Sequence, residues 1–137
     1  MKYSKEQIAS ATTLVNAMKK DAPTGIRSDN FPWLFTPISP WHMNLKHLNK
    51  TVSVFKQNEI HTIQRTVNKE KLCSMVSNPE YVVRSAKPEI IRVDGIDMIW
   101  NGHHRLATYW IYGEMEVECL LIEAEITQAP RHRSISY

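Results

Sequence analysis

Apolar residues near the start of the chain recur at the three-and-four spacing of one helical face: Ile8, Ala11, Leu14, Val15 and Met18. Ser4 and Gln7 stand ahead of them at capping-box spacing, and Lys19 and Lys20 close the last turn, where the helix dipole favours cations. The pattern then breaks. Pro23, Pro32, Pro37, Pro40 and Gly25 interrupt any period across residues 21–50, so that stretch reads as loop. It still carries Phe31, Trp33, Leu34, Phe35, Ile38 and Trp41, too much apolar area to leave in water, so it is expected to wrap over the core as an ordered strap. From Thr51, Val52 and Val54 suggest a short strand, and residues 59–64 a further extended piece. Asn68 is a candidate N-cap for a helix over 69–76, with Leu72, Cys73 and Val76 on one face and Asn78-Pro79 ending it. Two β-rich runs, 89–93 and 96–100, flank Asp94-Gly95, a pair tolerant of the positive φ that a two-residue hairpin turn requires. Residues 102–112 read as a helix with Leu106, Ala107 and Trp110 inward and Gly113 as its stop, and 115–122 as a final core strand.

Together these elements predict a single α+β domain, a small mixed sheet with about three helices. The divisions are an N-terminal helix plus proline-aromatic strap over 1–50, a core over 51–122, and a basic, mobile tail over 123–137. A chain of 137 residues, 42% hydrophobic and 23% charged, is the size and mixture of one globular domain able to hold a core without disulfides. Cys73 and Cys119 form no CxxC pair and sit in apolar segments, so both read as buried thiols. No run is long and apolar enough to span a bilayer, and the first residues lack an apolar signal core, which predicts a cytoplasmic protein without a membrane partner. A net charge of +3 permits an anionic partner without demanding one.

The chemistry concentrates where the hairpin hands over to the following helix, at Asn101-Gly102-His103-His104-Arg105. Glycine lets the backbone approach a ligand, and a first helical turn offers N–H groups without intrahelical partners along a favourable dipole. Two imidazoles and a guanidinium suit such a turn to phosphate, because arginine donates in a fork and histidine donates or carries a proton near neutral pH. Asn101 is the expected N-cap. Consecutive helical residues diverge by about 100°, so one histidine is expected to meet the anion and the other to bond within the protein.

This same run, IIRVDGIDMIWNGHHRLATYWIYGEMEVECLLIE, preceded by EIHTIQRTVNKEKLCSMV, resembles the ParB/sulfiredoxin-like superfamily, in particular small phage and plasmid proteins with ParB-like nuclease domains. Gly102, His104 and Arg105 match that family's G-x-H-R turn, and Ile63-Gln64-Arg65 is similar to its Q-P-R box without the proline. The resemblance spans about residues 52–122 and implies a nucleotide- or nucleic-acid-binding protein, with nuclease or phosphohydrolase activity as the enzymatic option. On that reading Asn101, Gly102, His103, His104 and Arg105 hold a phosphate and Gln64 and Arg65 line the opposite wall. Glu59, His103, His104 and Arg105 are the candidate catalytic groups, Glu59 matching the acidic base of the similar free serine kinases. His103 stands where sulfiredoxin has its reactive cysteine, so sulfinic-acid repair is not implied. No E-N-x-x-R box or helix-turn-helix follows the turn, so clamp-type CTP hydrolysis is not implied either.

The six histidines fall in no H-x-x-x-H or H-E-x-x-H pattern, so no structural metal site is expected. Mg2+ arriving with a nucleotide needs only one or two carboxylates, for which Glu59, Asp94 and Asp97 are candidates. Two rival roles remain at this level. One is a non-catalytic phage-type protein that occupies a host enzyme or defence factor through Trp33 and Trp41. The other is plain DNA binding through Lys19, Lys20, Arg65, Arg105, Arg131 and Arg133.

Overall fold

The computed structural model describes residues 2–20, 22–36 and 42–127. The first helix, α1 (Lys5–Lys20), starts with the reciprocal cap predicted for it: the Ser4 amide donates to Gln7 Oε1 at 2.7 Å and the Gln7 amide to Ser4 Oγ at 3.1 Å. Ala11 and Val15 are buried, while Leu14, expected inward, is 48% exposed because the buried stripe is narrower than its apolar spacing suggested.

The strap contains a two-residue strand β1 (Ile26–Arg27), a 3-10 turn at Ser28–Asn30, and β2 (Leu34–Phe35). Phe31 and Trp33 stack at 4.9 Å and are buried, as a strap over the core requires, whereas Leu34 and Phe35 face solvent. Ile38 and Trp41 lie outside the described residues. The stretch 21–50 is not loop to its end: β3 (Leu45–Lys56) begins well before Thr51. It is an edge strand exposed on both faces over much of its length, so Lys46, His47, Asn49 and Lys50 show no alternation to betray it.

After a 3-10 turn at Gln57–Glu59 come β4 (His61–Thr62), β5 (Thr66–Val67) and α2 (Lys69–Ser77), whose N-cap Asn68 accepts from the Lys71 amide at 2.8 Å. A fourth helix, α3 (Pro79–Arg84), was not foreseen; Pro79, read as a terminator, occupies its first turn, where a missing N–H costs nothing. The hairpin of β6 (Glu89–Val93) and β7 (Ile96–Asn101) turns on Asp94 and Gly95 at φ 53° and 78°. Then follow α4 (His103–Ile111) and β8 (Glu116–Ile126). β8 takes in Glu123–Ile126, which the sequence assigned to the tail; residues 128–137 lie outside the described ones.

The main sheet has the order β2-β4-β7-β6-β8-β3; β2, β4 and β7 run parallel to one another, as do β6 and β8, and the remaining pairs are antiparallel. β1 and β5 form a separate antiparallel pair. One core joins Ala11, Val15, Phe31, Trp33, Leu72, Val76 and Leu106 to sheet residues Phe55, Ile90, Ile99, Cys119 and Leu121, so α1 and the strap belong to the same domain as the rest. A smaller cluster of Ile91, Val93, Met98 and Ile122 fills the opposite face, and His47 from the start of β3 reaches over to meet the Trp100 ring edge-on at 5.9 Å.

Gln57, with no exposed surface, ties three of these parts together. Its Oε1 accepts from Trp33 Nε1 at 2.9 Å, and its Nε2 donates to the carbonyls of Leu106 at 3.0 Å and Glu114 at 3.1 Å. Cys119 is buried, with its thiol pushed up to about 12 by desolvation, but Cys73 is only half-buried, where the sequence had placed it inside. Among the described residues, no helix is long and apolar enough to cross a membrane.

Candidate functional site

Because β4 and β7 run parallel, with His61 beside Met98, they leave the sheet at the same end. Carboxyl ends of parallel strands are where α/β sheets open crevices. Here Ile63 and Gln64 leave β4 next to Trp100, Asn101 and Gly102 leaving β7. A cleft of about 470 Å³ lies between them, lined by Ile63, Gln64, Lys71, Trp100, Asn101, Gly102, His103 and His104. β7 is the third strand of six, so the turn sits within the sheet's span rather than at its edge.

The N-cap of α4 is Gly102, not Asn101, which is the exposed last residue of β7. Gly102 has φ +105°, and a Cβ there would stand 3.0 Å from the Cα and Cβ of Pro88, so both the backbone angle and the space demand glycine. Leu106 N–H donates to the Gly102 carbonyl at 3.0 Å, leaving the preceding amides of the turn without intrahelical acceptors.

Both histidines bond within the protein. His103 Nε2 pairs with Thr62 Oγ1 at 2.8 Å, an oxygen that also accepts the Gln64 amide at 3.0 Å, and its ring meets Trp33 edge-on at 5.6 Å. His104 Nε2 accepts the Asn68 amide at 3.0 Å, so its proton sits on Nδ1. Burial lowers the pKa of His103 to about 4, with His104 adding to the effect; burial and then the Lys71 ammonium do the same for His104, also to about 4. At neutral pH the pair is uncharged, and the turn's positive potential comes from elsewhere.

It comes from geometry that the sequence did not reveal. The bond between Asn68 and His104 joins the N-terminal turn of α2 to that of α4, and through it Lys71, from the first turn of α2, comes to line the cleft. Asn68 was legible as a cap, and a cap implies a nearby first turn, but only the packing of α2 against α4 brings Lys71 to the glycine turn.

The remaining candidates are placed differently. Gln64 lines the cleft, its side-chain amide donating to the Thr66 carbonyl at 2.7 Å. Arg65 points away, with its guanidinium 4.3 Å above the Phe35 ring, and lines a separate hollow with Arg27, Ser28 and Trp33. Arg105 donates to the Ala86 carbonyl and is absent from the cleft lining. Glu59 is exposed on its 3-10 turn and is likewise not part of the lining. Asp97 is paired with Arg92 at 2.6 Å and Asp94 forms the hairpin turn. Among the described residues no group of His, Cys, Asp and Glu converges as a metal site. Trp33, proposed as a partner contact, is buried with its indole N–H on Gln57.

In comparisons with known proteins, no family model, no curated protein and no solved structure matches this chain.

Proposed function

We propose that the chain binds a phosphate-bearing ligand, a nucleotide or a nucleic-acid backbone, in the cleft at the start of α4. What carries this reading is the meeting of the first turn of α4 with Lys71 of α2 in one concave site. The turn's resemblance to ParB/sulfiredoxin-like phosphate-binding turns supports the same reading. Lys71 supplies the point charge, the first-turn amides of α4 the directional donors, and the neutral imidazoles donor N–H groups that add no charge of their own. Gln64 and Asn101 are the polar groups at hand for the remainder of the ligand. Nuclease or phosphohydrolase turnover would rest on the phosphoryl charge being stabilised here, with a water positioned against it.

Isothermal titration with inorganic phosphate, a nucleoside triphosphate with and without Mg2+, and a short single-stranded oligonucleotide tests the proposal. At least one is expected to bind, and Lys71→Glu is expected to weaken it by about tenfold or more, the scale of one lost charge-assisted contact replaced by repulsion. Arg105→Ala is expected to leave affinity within about twofold, since that guanidinium bonds to the backbone outside the cleft. Absence of binding by all three ligands, or binding indifferent to Lys71→Glu, overturns the reading.

A further inference from the structure

The sheet's two edges are unequal. β2 is two residues long, whereas β3 is a 12-residue strand that, among the described residues, pairs only with β8, leaving alternate N–H and C=O groups directed outward along its other side. Beyond the bulge between His47 and Asn49, β3 runs in regular register to Lys56. Over this stretch Lys50, Val52, Val54 and Lys56 share one face, and both valines are 58% exposed. β3 carries Lys46, His47, Lys50 and Lys56 and no carboxylate. Lysines commonly blunt an edge, but the two valines between Lys50 and Lys56, with Leu48 53% exposed nearby, keep this one apolar at its middle.

We infer that this outward side of β3 docks an extended segment of a partner protein, one with aliphatic residues at its centre and Asp or Glu at both ends, which adds as a further strand. On its inner side β3 meets β8, which sets Leu120 opposite Val52 and Glu116 opposite Lys56, with Glu118 opposite Val54 and Ile122 opposite Lys50. A second copy of this chain fits poorly: the antiparallel register that brings Val52 of one copy to Val54 of the other also sets Lys50 of each against Lys56 of the other. Main-chain bonds supply the attachment and the alternating side chains the selectivity. This surface is independent of the α4 cleft.

The probe is a synthetic peptide, Glu-Thr-Val-Thr-Val-Thr-Glu, with a matched control carrying Lys at both ends. Amide shifts and hydrogen exchange of the full chain are followed by NMR. The acidic peptide is expected to shift and protect amides in 50–56 and leave 101–105 unmoved. Lys50→Glu is expected to weaken it by about fivefold or more and to improve binding of the lysine-ended control. Lys50 faces Ile122 across β8, so this change breaks no ion pair within the sheet, and an unaltered thermal midpoint verifies the fold. Equal affinity for both peptides, shifts confined to 101–105, or no binding at millimolar peptide overturns the inference. So does a dimer by light scattering whose β3 amides are already protected without peptide.

Discussion

Acidification below pH 6.5 should loosen this protein through its two buried histidines. His103 and His104 are neutral in the folded chain, with pKa values lowered from 6.5 to about 4. Their contribution to stability is therefore complete above pH 6.5 and is lost as pH falls through the folded value near 4, because the unfolded chain takes up the protons first. For a group shifted from 6.5 to about 4, linkage gives about 2 kcal/mol lost by pH 5. His104 is less buried than His103 and is discounted to about half of that, so the pair together should cost about 3 kcal/mol. A domain of this size loses a few degrees of thermal midpoint per kcal/mol, so about 10 °C separates pH 7 from pH 5. Physically, protonated His104 can no longer accept the Asn68 amide, and the contact joining α2 to α4 opens. Calorimetric melts at pH 7, 6 and 5 measure the slope, and histidine Cε1 proton shifts assign it. The His103→Gln/His104→Asn double variant should flatten the slope between pH 7 and 5. Imidazoles that titrate near 6.5 in the folded protein, or a slope unchanged in the double variant, would refute the reasoning.

Gly102→Ala should destabilise the chain by about 1–3 kcal/mol, because a side chain at φ +105° is strained and its Cβ would press on Pro88; urea unfolding measures it, and a change below 0.5 kcal/mol would contradict the geometry. Gln57→Leu should cost about 3–5 kcal/mol by stranding the Trp33 indole N–H and two carbonyls, visible as a lowered denaturation midpoint and altered Trp emission. Asn68→Ala should cost about 1 kcal/mol through loss of the α2 cap while leaving the backbone amide bond to His104 in place, read by the same unfolding assay and by an unchanged His104 titration.

The elements legible in the sequence are those whose signals are local. The Ser4 and Gln7 cap, the Asn68 cap and the Asp94-Gly95 turn each need only neighbours in the chain, and each forms as read. The first half of β3 was hidden because an exposed edge strand has no buried face to impose alternation, and α3 because Pro79 can begin a helix as readily as end one. Of the site, the glycine turn and its histidines were visible as a sequence of suitable residues, and Gln64 lines the same cleft. What the sequence could not reveal was rotamer and packing: Arg65 lies over Phe35, Arg105 turns to the Ala86 carbonyl, and Lys71 arrives from α2. Neutral histidines were also illegible, since the burial that discharges them is a tertiary property.

The amide of Gln57 bears on how this chain can be cut. A fragment trimmed to 51–122 keeps the glycine turn and every cleft residue, yet it discards Trp33, the donor that fills Gln57 Oε1, along with Phe31, Val15 and half of β3. Such a minimal piece would present an acceptor to an empty hole and lose the ladder that joins the first half of β3 to the end of β8. Clumping, rather than a smaller working protein, is the outcome to anticipate from shortening at the front.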